Sequence, residues 1–411
     1  MRRAAGSALA ARCDAGRRSR ARRGARRDDQ CARPVGAVHV LAAVRTGQRR
    51  PLRRARACSR ARSGACRDPE SRRGCRHARR SRPAAAPRRP AHAGRARRAR
   101  PRGRALKVVV LSGGVGGARF VCGLVDVLPP HDVTVIGNVG DDVEVLGLHV
   151  SPDLDSILYA LAGLNDEERG WGRRDETWNA LAAAAELGGE DWFRLGDKDI
   201  GLHLVRTQAL RRGETLSKAT RKLVDALGLE TIVFPATDEP LRTWLDTPAG
   251  SFPFQEWFVA RGHRDDVDGV RFEGAEAARA VPGAIGAIGA ADLILIAPSN
   301  PYVSIWPILA VAELHEAVTS RRVPCVAVSP LIGGRAVKGP ADRMLQRLAG
   351  GTGPAQVAQS YRGLIDALVV DEADSADLDD LPVRAIVTKT LMSDDASRRA
   401  LAEAALGAVA A

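Results

Sequence analysis

The first 104 residues contain no lysine, phenylalanine, tryptophan or tyrosine. They hold 34 arginines against 5 acidic residues (Asp14, Asp28, Asp29, Asp68 and Glu70), a net charge of +29. The whole chain of 411 residues carries +15, so residues 105–411 carry −14. A segment without aromatic residues and with only scattered aliphatics cannot bury enough apolar surface to offset chain entropy. Residues 1–104 are therefore expected to form a disordered Arg/Ala-rich tail. The missing lysine argues against a nucleic-acid-binding arm, and the missing amphipathic period argues against a transit peptide. Arg, Ala, Gly and Pro are what GC-rich DNA yields by chance, and the first lysine, Lys107, coincides with the first apolar run. The tail reads as translation from upstream of the real start. The acidic balance of 105–411 argues against a nucleic-acid partner.

Cysteine is also scarce where the chain can fold. Five of the seven (Cys13, Cys31, Cys58, Cys66 and Cys75) lie in the tail at irregular spacing, with no CxxC pair to hold a metal. Cys122 and Cys325 sit in apolar contexts that read as core. There is no disulfide framework, no secretory leader pattern and no apolar run of membrane-spanning length, so a cytoplasmic protein without a membrane partner is expected.

What remains reads as one α/β domain. "KVVVLSGG" (107–114) is a β-branched run ending in glycines, "ARFVCGLVDVL" (118–128) has helical spacing, and "DVTVIGN" (132–138) is a second strand. Strand, glycine turn, helix and strand make a βαβ unit, which implies a parallel sheet covered on both faces. The middle of the chain predicts helices over 153–164, 175–189, 201–214 and 215–229, a helical insertion spanning 153–230. Residues 231–272 read as strands around a "TPAG" turn, a small β-rich element. "ADLILIAPSNP" (291–301), "RVPCVAVSPLIGG" (322–334), "ALVVDEAD" (367–374) and "RAIVTKT" (384–390) supply later strands, and an Ala-rich helix closes the chain. The expected fold is Rossmann-like, a doubly wound and mostly parallel sheet.

In such a sheet ligands sit beyond the carboxyl ends of the strands. At the first end stand Ser112, Gly113, Gly114, Gly116 and Gly117, where bare backbone and a helix N-terminus suit a phosphate. A dinucleotide fingerprint would need a third glycine where Arg119 stands, and an acid where Asn138 ends the second strand. Next come Asp141, Asp142, Glu144, Asp153 and Asp155 within fifteen residues. Carboxylates crowded beside a phosphate repel it and one another, a conflict that a bound Mg2+ removes. "LGDKD" (195–199) offers Lys198 as a cation for a phosphoryl centre or as part of a surface charge triplet, and His203 with Arg206 share a helix face. Ser299 and Asn300 either cap a helix or face a ligand, and the glycine pair before Arg335 and Lys338 reads either as a clamp for a diphosphate or as a flexible surface loop.

Ten stretches stand in order, "SGGVGGARF", "NVGDD", "SPDLDSILY", "RGWGRRDETWNA", "LGDKD", "GLHLVRTQ", "PATDEP", "FQEWFV", "APSNP" and "VSPLIGG", and together they resemble one family, that of the 2-phospho-L-lactate transferases of coenzyme F-420 biosynthesis. "RGWG…ETWNA" is most similar to the actinobacterial branch. The resemblance covers 105–411 as a transferase domain. It implies a donor of guanosine diphosphate esterified to lactate or enolpyruvate, and as acceptor the deazaflavin Fo, whose ribityl hydroxyl attacks the distal phosphorus and releases GMP. It implies that the glycine loop, Ser299 and Asn300 hold the guanosine diphosphate. Asp155 and Lys198 match Fo-contacting catalytic positions, Asp141 and Asp155 are the implied Mg2+ ligands, and relatives suggest a homodimer. Lys198 replaces the family's usual arginine, keeping the charge and losing the bidentate fork. A related family that binds nucleotide sugars in regulation lacks "SPDLD…LGDKD" in this form.

Overall fold

A computed structural model describes residues 105–408. The expected tail, 1–104, lies outside the described residues. Seven strands form the central sheet: β1 Val108–Ser112, β2 Val133–Gly137, β3 Ile232–Pro235, β4 Leu293–Ile296, β5 Cys325–Val328, β6 Ala367–Asp371 and β7 Arg384–Thr388. Their order is β7-β6-β5-β4-β1-β2-β3. All neighbours are parallel, with Val108 of β1 opposite Val133 on one side and Leu293 on the other. The VVVL, LILI and CVAV runs of β1, β4 and β5 are buried throughout, as strands covered on both faces must be. This is the doubly wound α/β fold expected from the sequence.

The strand order reverses between β1 and β4. The chain first winds outward through β2 to β3, then returns to lay β4 on the far side of β1. Connections leave in opposite directions there, and a crevice opens beyond the carboxyl ends. Helix α1, Gly114–Val127, starts at this crevice. The C-terminal helix Asp395–Gly407 crosses α1 so closely at Gly123 that a Cβ there would overlap the Arg398 backbone.

Four helices follow in the middle of the chain: α2 Pro152–Leu161, α3 Asn179–Glu186, α4 Asp197–Arg211 and α5 Leu216–Ala226. Helix α4 begins four residues before the expected start, and α3 is shorter than 175–189. Both differences come from capping. Glu176 lies outside α3 because its carboxylate accepts from the Lys198 and Asp199 N–H groups at the start of α4, at 2.8 and 2.9 Å. Asp197 in return accepts from Asn179 and Ala180 at the start of α3, at 3.2 and 2.9 Å. Two helix N-termini thus exchange acidic caps.

Two further corrections concern strands. The acidic stretch after β2 contains a hairpin, Val143–Val145 with Leu148–Val150, turning through Leu146 and Gly147 at φ 50 and 75. Within 231–272, Ile232–Pro235 is the edge strand β3 of the main sheet. Arg242–Thr247 pairs with Gly250–Pro253 and Gly269–Glu273 in a separate antiparallel sheet, with "TPAG" at the hairpin tip. "FQEWFVA" is helical, against the strand expectation. Phe254, Trp257 and Phe258 stand at i, i+3 and i+4, the spacing that gathers side chains on one helical face. Their ring centroids lie 6.3 Å (Phe254–Trp257) and 5.3 Å (Phe254–Phe258) apart. Among the described residues no helix is long and apolar enough to cross a membrane.

Candidate functional site

The crevice between β1 and β4 brings together most of the glycine-loop residues. Ser299, just after β4, grips Gly113: its Oγ accepts from the Gly113 N–H at 3.4 Å and donates to the Gly113 carbonyl at 2.6 Å. Three of the four glycines owe their identity to close packing against the protein itself. A Cβ on Gly113 would lie 2.5 Å from Asp153 Oδ2, one on Gly116 2.9 Å from the Pro298 carbonyl, and one on Gly117 2.7 Å from Ser299 Oγ. Gly114 differs. It has φ +67, and the nearest atom to its virtual Cβ is 3.9 Å away. The space above its Cα is the open part of the turn, while its N–H is bonded to Asp153. Ser112 Oγ is fully buried beside Gly117 without a hydrogen-bond partner among the described residues, an expensive state for a hydroxyl. Asn300 turns away from this cluster: its Oδ1 accepts from the Tyr302 N–H at 3.0 Å and its Nδ2 lies 3.3 Å from Met344 Sδ.

Of the five clustered acids, Glu144 is exposed on the hairpin and the other four are buried. Asn138, at the end of β2, is their hub. Its Nδ2 donates toward Asp141 at 3.1 Å and Asp153 at 2.9 Å, while its Oδ1 accepts from the Gly140 N–H at 2.7 Å. Gln255 donates to the other oxygen of Asp141 at 3.1 Å. Burial, with Asp153 and Asp142 close by, raises the Asp141 carboxyl well above the usual range. Burial also raises Asp153 to about 6, against the hydrogen bonds from Asn138 and the Gly114 N–H. Asp142 is held instead by His149 and Ser151, each at 2.9 Å. Among the described residues no three His, Cys, Asp or Glu side chains converge as a ready-made metal cage.

Asp155 faces the opposite way, toward α4. Arg206 grips it with both guanidinium nitrogens, Nη1 to Oδ2 at 2.9 Å and Nη2 to Oδ1. His203 lies between two carboxylates, with Nδ1 3.7 Å from Asp155 and Nε2 3.3 Å from Asp199. The Tyr159 hydroxyl also donates to Asp199. Burial alone would raise the Asp199 carboxyl, but His203, Tyr159 and Arg206 together hold it below its usual range. Lys198 is exposed at the start of α4, next to Asp199. It shares this end of α4 with the buried network but is not within it.

The second glycine pair does not present a free diphosphate clamp. Gly333 and Gly334, both at positive φ (58 and 68), aim their N–H groups at Asp374, at 3.1 and 2.8 Å. That carboxylate occupies the anion seat the pair creates. Asn138, Gln255 and Tyr159 were missed as functional candidates on sequence. Their signals were slight: an amide where a dinucleotide site wants an acid, and single polar atoms in apolar or aromatic runs.

The sequence profile of the 2-phospho-L-lactate transferase CofD family matches residues 108–400. A phosphoenolpyruvate transferase of Streptomyces coelicolor is 43% identical over 276 residues, covering 66% of this chain and 86% of its own. That of Mycolicibacterium smegmatis is 38% identical over 323 residues, covering 73% of this chain and 98% of its own. In fold, the chain is similar to a crystal structure of a Bacillus halodurans protein, with TM-score 0.52 and 18% identity over 74% of this chain and 100% of the other. The doubly wound sheet, the glycine turn at its switch point and the acids beyond β2 thus belong to a chain with relatives of one kind along almost all its described length, and this protein is a member of the 2-phospho-L-lactate transferase CofD family of enzymes.

Proposed function

We propose that this enzyme transfers a phosphoenolpyruvyl group from a guanosine diphosphate conjugate to the deazaflavin Fo, releasing GMP in coenzyme F-420 biosynthesis. A phospholactyl donor is the second candidate. The observation that carries the choice of donor is the 38–43% identity to actinobacterial proteins named phosphoenolpyruvate transferases. The ribityl hydroxyl of Fo attacks the distal phosphorus. A P–O bond forms there, the bond to the bridging oxygen breaks, GMP leaves with that electron pair, and the hydroxyl proton passes to a carboxylate.

Catalysis of this kind rests on positioning and charge neutralisation. The space above Gly114 and the Ser112 hydroxyl, unpartnered among the described residues, with Gly113, Gly116, Gly117 and Ser299 shaping the turn, form the proposed seat for the diphosphate, to which Asn300 would contribute only by giving up its bonds to Tyr302 and Met344. Asp141 and Asp155 are the proposed Mg2+ ligands. Asp141 fits such an ion, being buried beside Asp153 and Asp142 and driven toward its neutral form, which a cation would reverse, whereas Asp155 is turned toward Arg206 and would have to offer the ion its free acceptor positions. Arg206 uses two of the four acceptor positions of the Asp155 carboxylate and leaves two for another partner. When bound, Mg2+ would offset the charge of the donor's diphosphate. Arg206 fixes Asp155, which would accept a hydrogen bond from the ribityl hydroxyl, and Lys198 at the α4 N-terminus would face the phosphoryl oxygens. A homodimer in the cytoplasm, without nucleic-acid partner, is proposed for the assembled enzyme.

The test is the purified chain with Fo, Mg2+ and each guanosine diphosphate donor, the product read by mass. A phosphoenolpyruvyl adduct is expected. A folded protein that binds the nucleotide yet forms no adduct with either donor would reverse the assignment in favour of nucleotide binding without transfer.

A further inference from the structure

The "RGWGRRDETWNA" stretch has no role in the site as built so far, yet its Glu176 and Thr177 hold the start of α4. The first N–H groups of a helix have no partner within it and are commonly met by the N-cap side chain. In α4 the N-cap is Gly196, which has no side chain to offer. The next three N–H groups all end on residues 176 and 177 instead. Asp197 donates to the Thr177 carbonyl at 2.8 Å, Lys198 to Glu176 Oε2 at 2.8 Å and Asp199 to Glu176 Oε1 at 2.9 Å. Gly196 is bare to admit this carboxylate: a Cβ there would lie 2.3 Å from Glu176 Cδ and 2.4 Å from Oε2. Its φ of −75 and ψ of 157 suit any residue, so space and not backbone conformation excludes a side chain.

Helix α3 buries only Leu181 among its own residues, so polar bonds do most to fix it. Asp197 supplies them, accepting from Thr177 Oγ1 at 2.5 Å, Asn179 Nδ2 at 2.9 Å and the Ala180 N–H at 2.9 Å. The two helix starts are thus clamped in both directions. The clamp decides where Lys198 stands. The Lys198 ammonium has no hydrogen bond or ion pair among the described residues, so its place is set by its backbone. The side chain bonded to that backbone is Glu176. The same carboxylate holds Asp199, whose own side chain meets His203 and Tyr159.

We infer that Glu176 is a positioning residue for the transfer: lodged against Gly196, it sets the backbone of Lys198 and thereby aims the Lys198 ammonium. The inference rests on the transferase reading above, with Lys198 facing the phosphoryl oxygens, and adds a residue that touches no substrate. Misplacing a reacting or neutralising group by about 1 Å costs up to about a hundredfold in rate. The experiment measures kcat and both KM values for wild type, Glu176→Ala, Glu176→Gln, Gly196→Ala, Lys198→Ala and two double variants, Glu176→Ala/Lys198→Ala and Glu176→Ala/Gly196→Ala. Glu176→Ala is expected to lower kcat about ten- to hundredfold, with both KM values within about threefold. Glu176→Gln keeps one acceptor oxygen and should recover part of the loss. Gly196→Ala displaces the carboxylate without removing it and should reproduce the loss, the Glu176→Ala/Gly196→Ala protein being no slower than the slower single variant. In the Lys198→Ala background, Glu176→Ala should change kcat by less than about twofold, a non-additivity that a merely structural cap would not produce. Melting temperatures check that each variant is folded; if Glu176→Ala is not, Glu176→Gln carries the same cycle. Additive losses in the Glu176–Lys198 cycle, or Lys198→Ala at wild-type kcat, would overturn the inference and leave the transferase reading standing. A wild type that binds Fo and donor yet forms no adduct overturns that reading, and this inference with it.

Discussion

Arg206→Met isolates the physics of the buried pair behind Asp155. The guanidinium is fully buried, and its partner carboxylate is 6% exposed. Removing one member leaves the other as an uncompensated charge in a water-poor site, which costs about 3–5 kcal/mol. Asp142 and Asp199 lie near the same network and add repulsion to a lone Asp155. Unfolding entropy scales at about 2.1 cal/mol/K per residue, about 0.6 kcal/mol/K for a domain of about 300 residues, so the melting temperature should fall by about 5–8 °C. The double variant Arg206→Met/Asp155→Leu removes both charges and fills the space with apolar atoms. It should recover most of the loss, although it gives up turnover. Urea and thermal unfolding of wild type, Arg206→Met, Asp155→Leu and the double variant at pH 7 close the cycle. A single variant melting within 2 °C of wild type, or a double variant as unstable as the sum of the singles, would refute the reasoning. The same pairing makes Asp155→Ala a poor probe of catalysis, because it strands a buried Arg206. Asp155→Asn, which keeps the shape, should lose turnover while melting closer to wild type.

Gly117→Ala should cost activity and stability together, since its Cβ would press on Ser299 Oγ at 2.7 Å and on Ser112. Gly201→Ala in α4 meets nothing within 4 Å and should stabilise by up to about 1 kcal/mol, read as a higher urea midpoint at constant slope. Asp153 is raised from 3.8 to about 6, so between those values the folded state binds more protons than the unfolded chain. Its contribution to stability is therefore present below about pH 4 and is lost as pH rises toward 6. Unfolding free energy measured from pH 4 to 7 should show this downward component, and Asp153→Asn should remove it; a variant with the same pH slope as wild type counts against the assignment. A chain beginning at Arg104 keeps everything the family profile covers, residues 108–400, and should match the full chain in turnover.

Local chemistry wrote much of this molecule into its sequence. The β-branched runs of β1, β4 and β5 are strands because such residues fit a pleat covered on both faces, and the glycine turn marks where α1 must begin. The helical spacing of Phe254, Trp257 and Phe258 was equally present, but adjacent strands masked it. What the sequence could not decide was who meets whom across long separations. Nothing local says that Asp155 closes on Arg206 fifty-one residues later, or that Asp374 fills the glycine seat forty residues before it. Nor does any local pattern say that Ile232–Pro235 joins the main sheet, or that Gly116 and Gly117 are bare to admit Pro298 and Ser299. Spacing along the chain fixes periodicity, and periodicity fixes elements. The partner of a buried charge is chosen only when the sheet closes and burial makes an unpaired group too costly to keep.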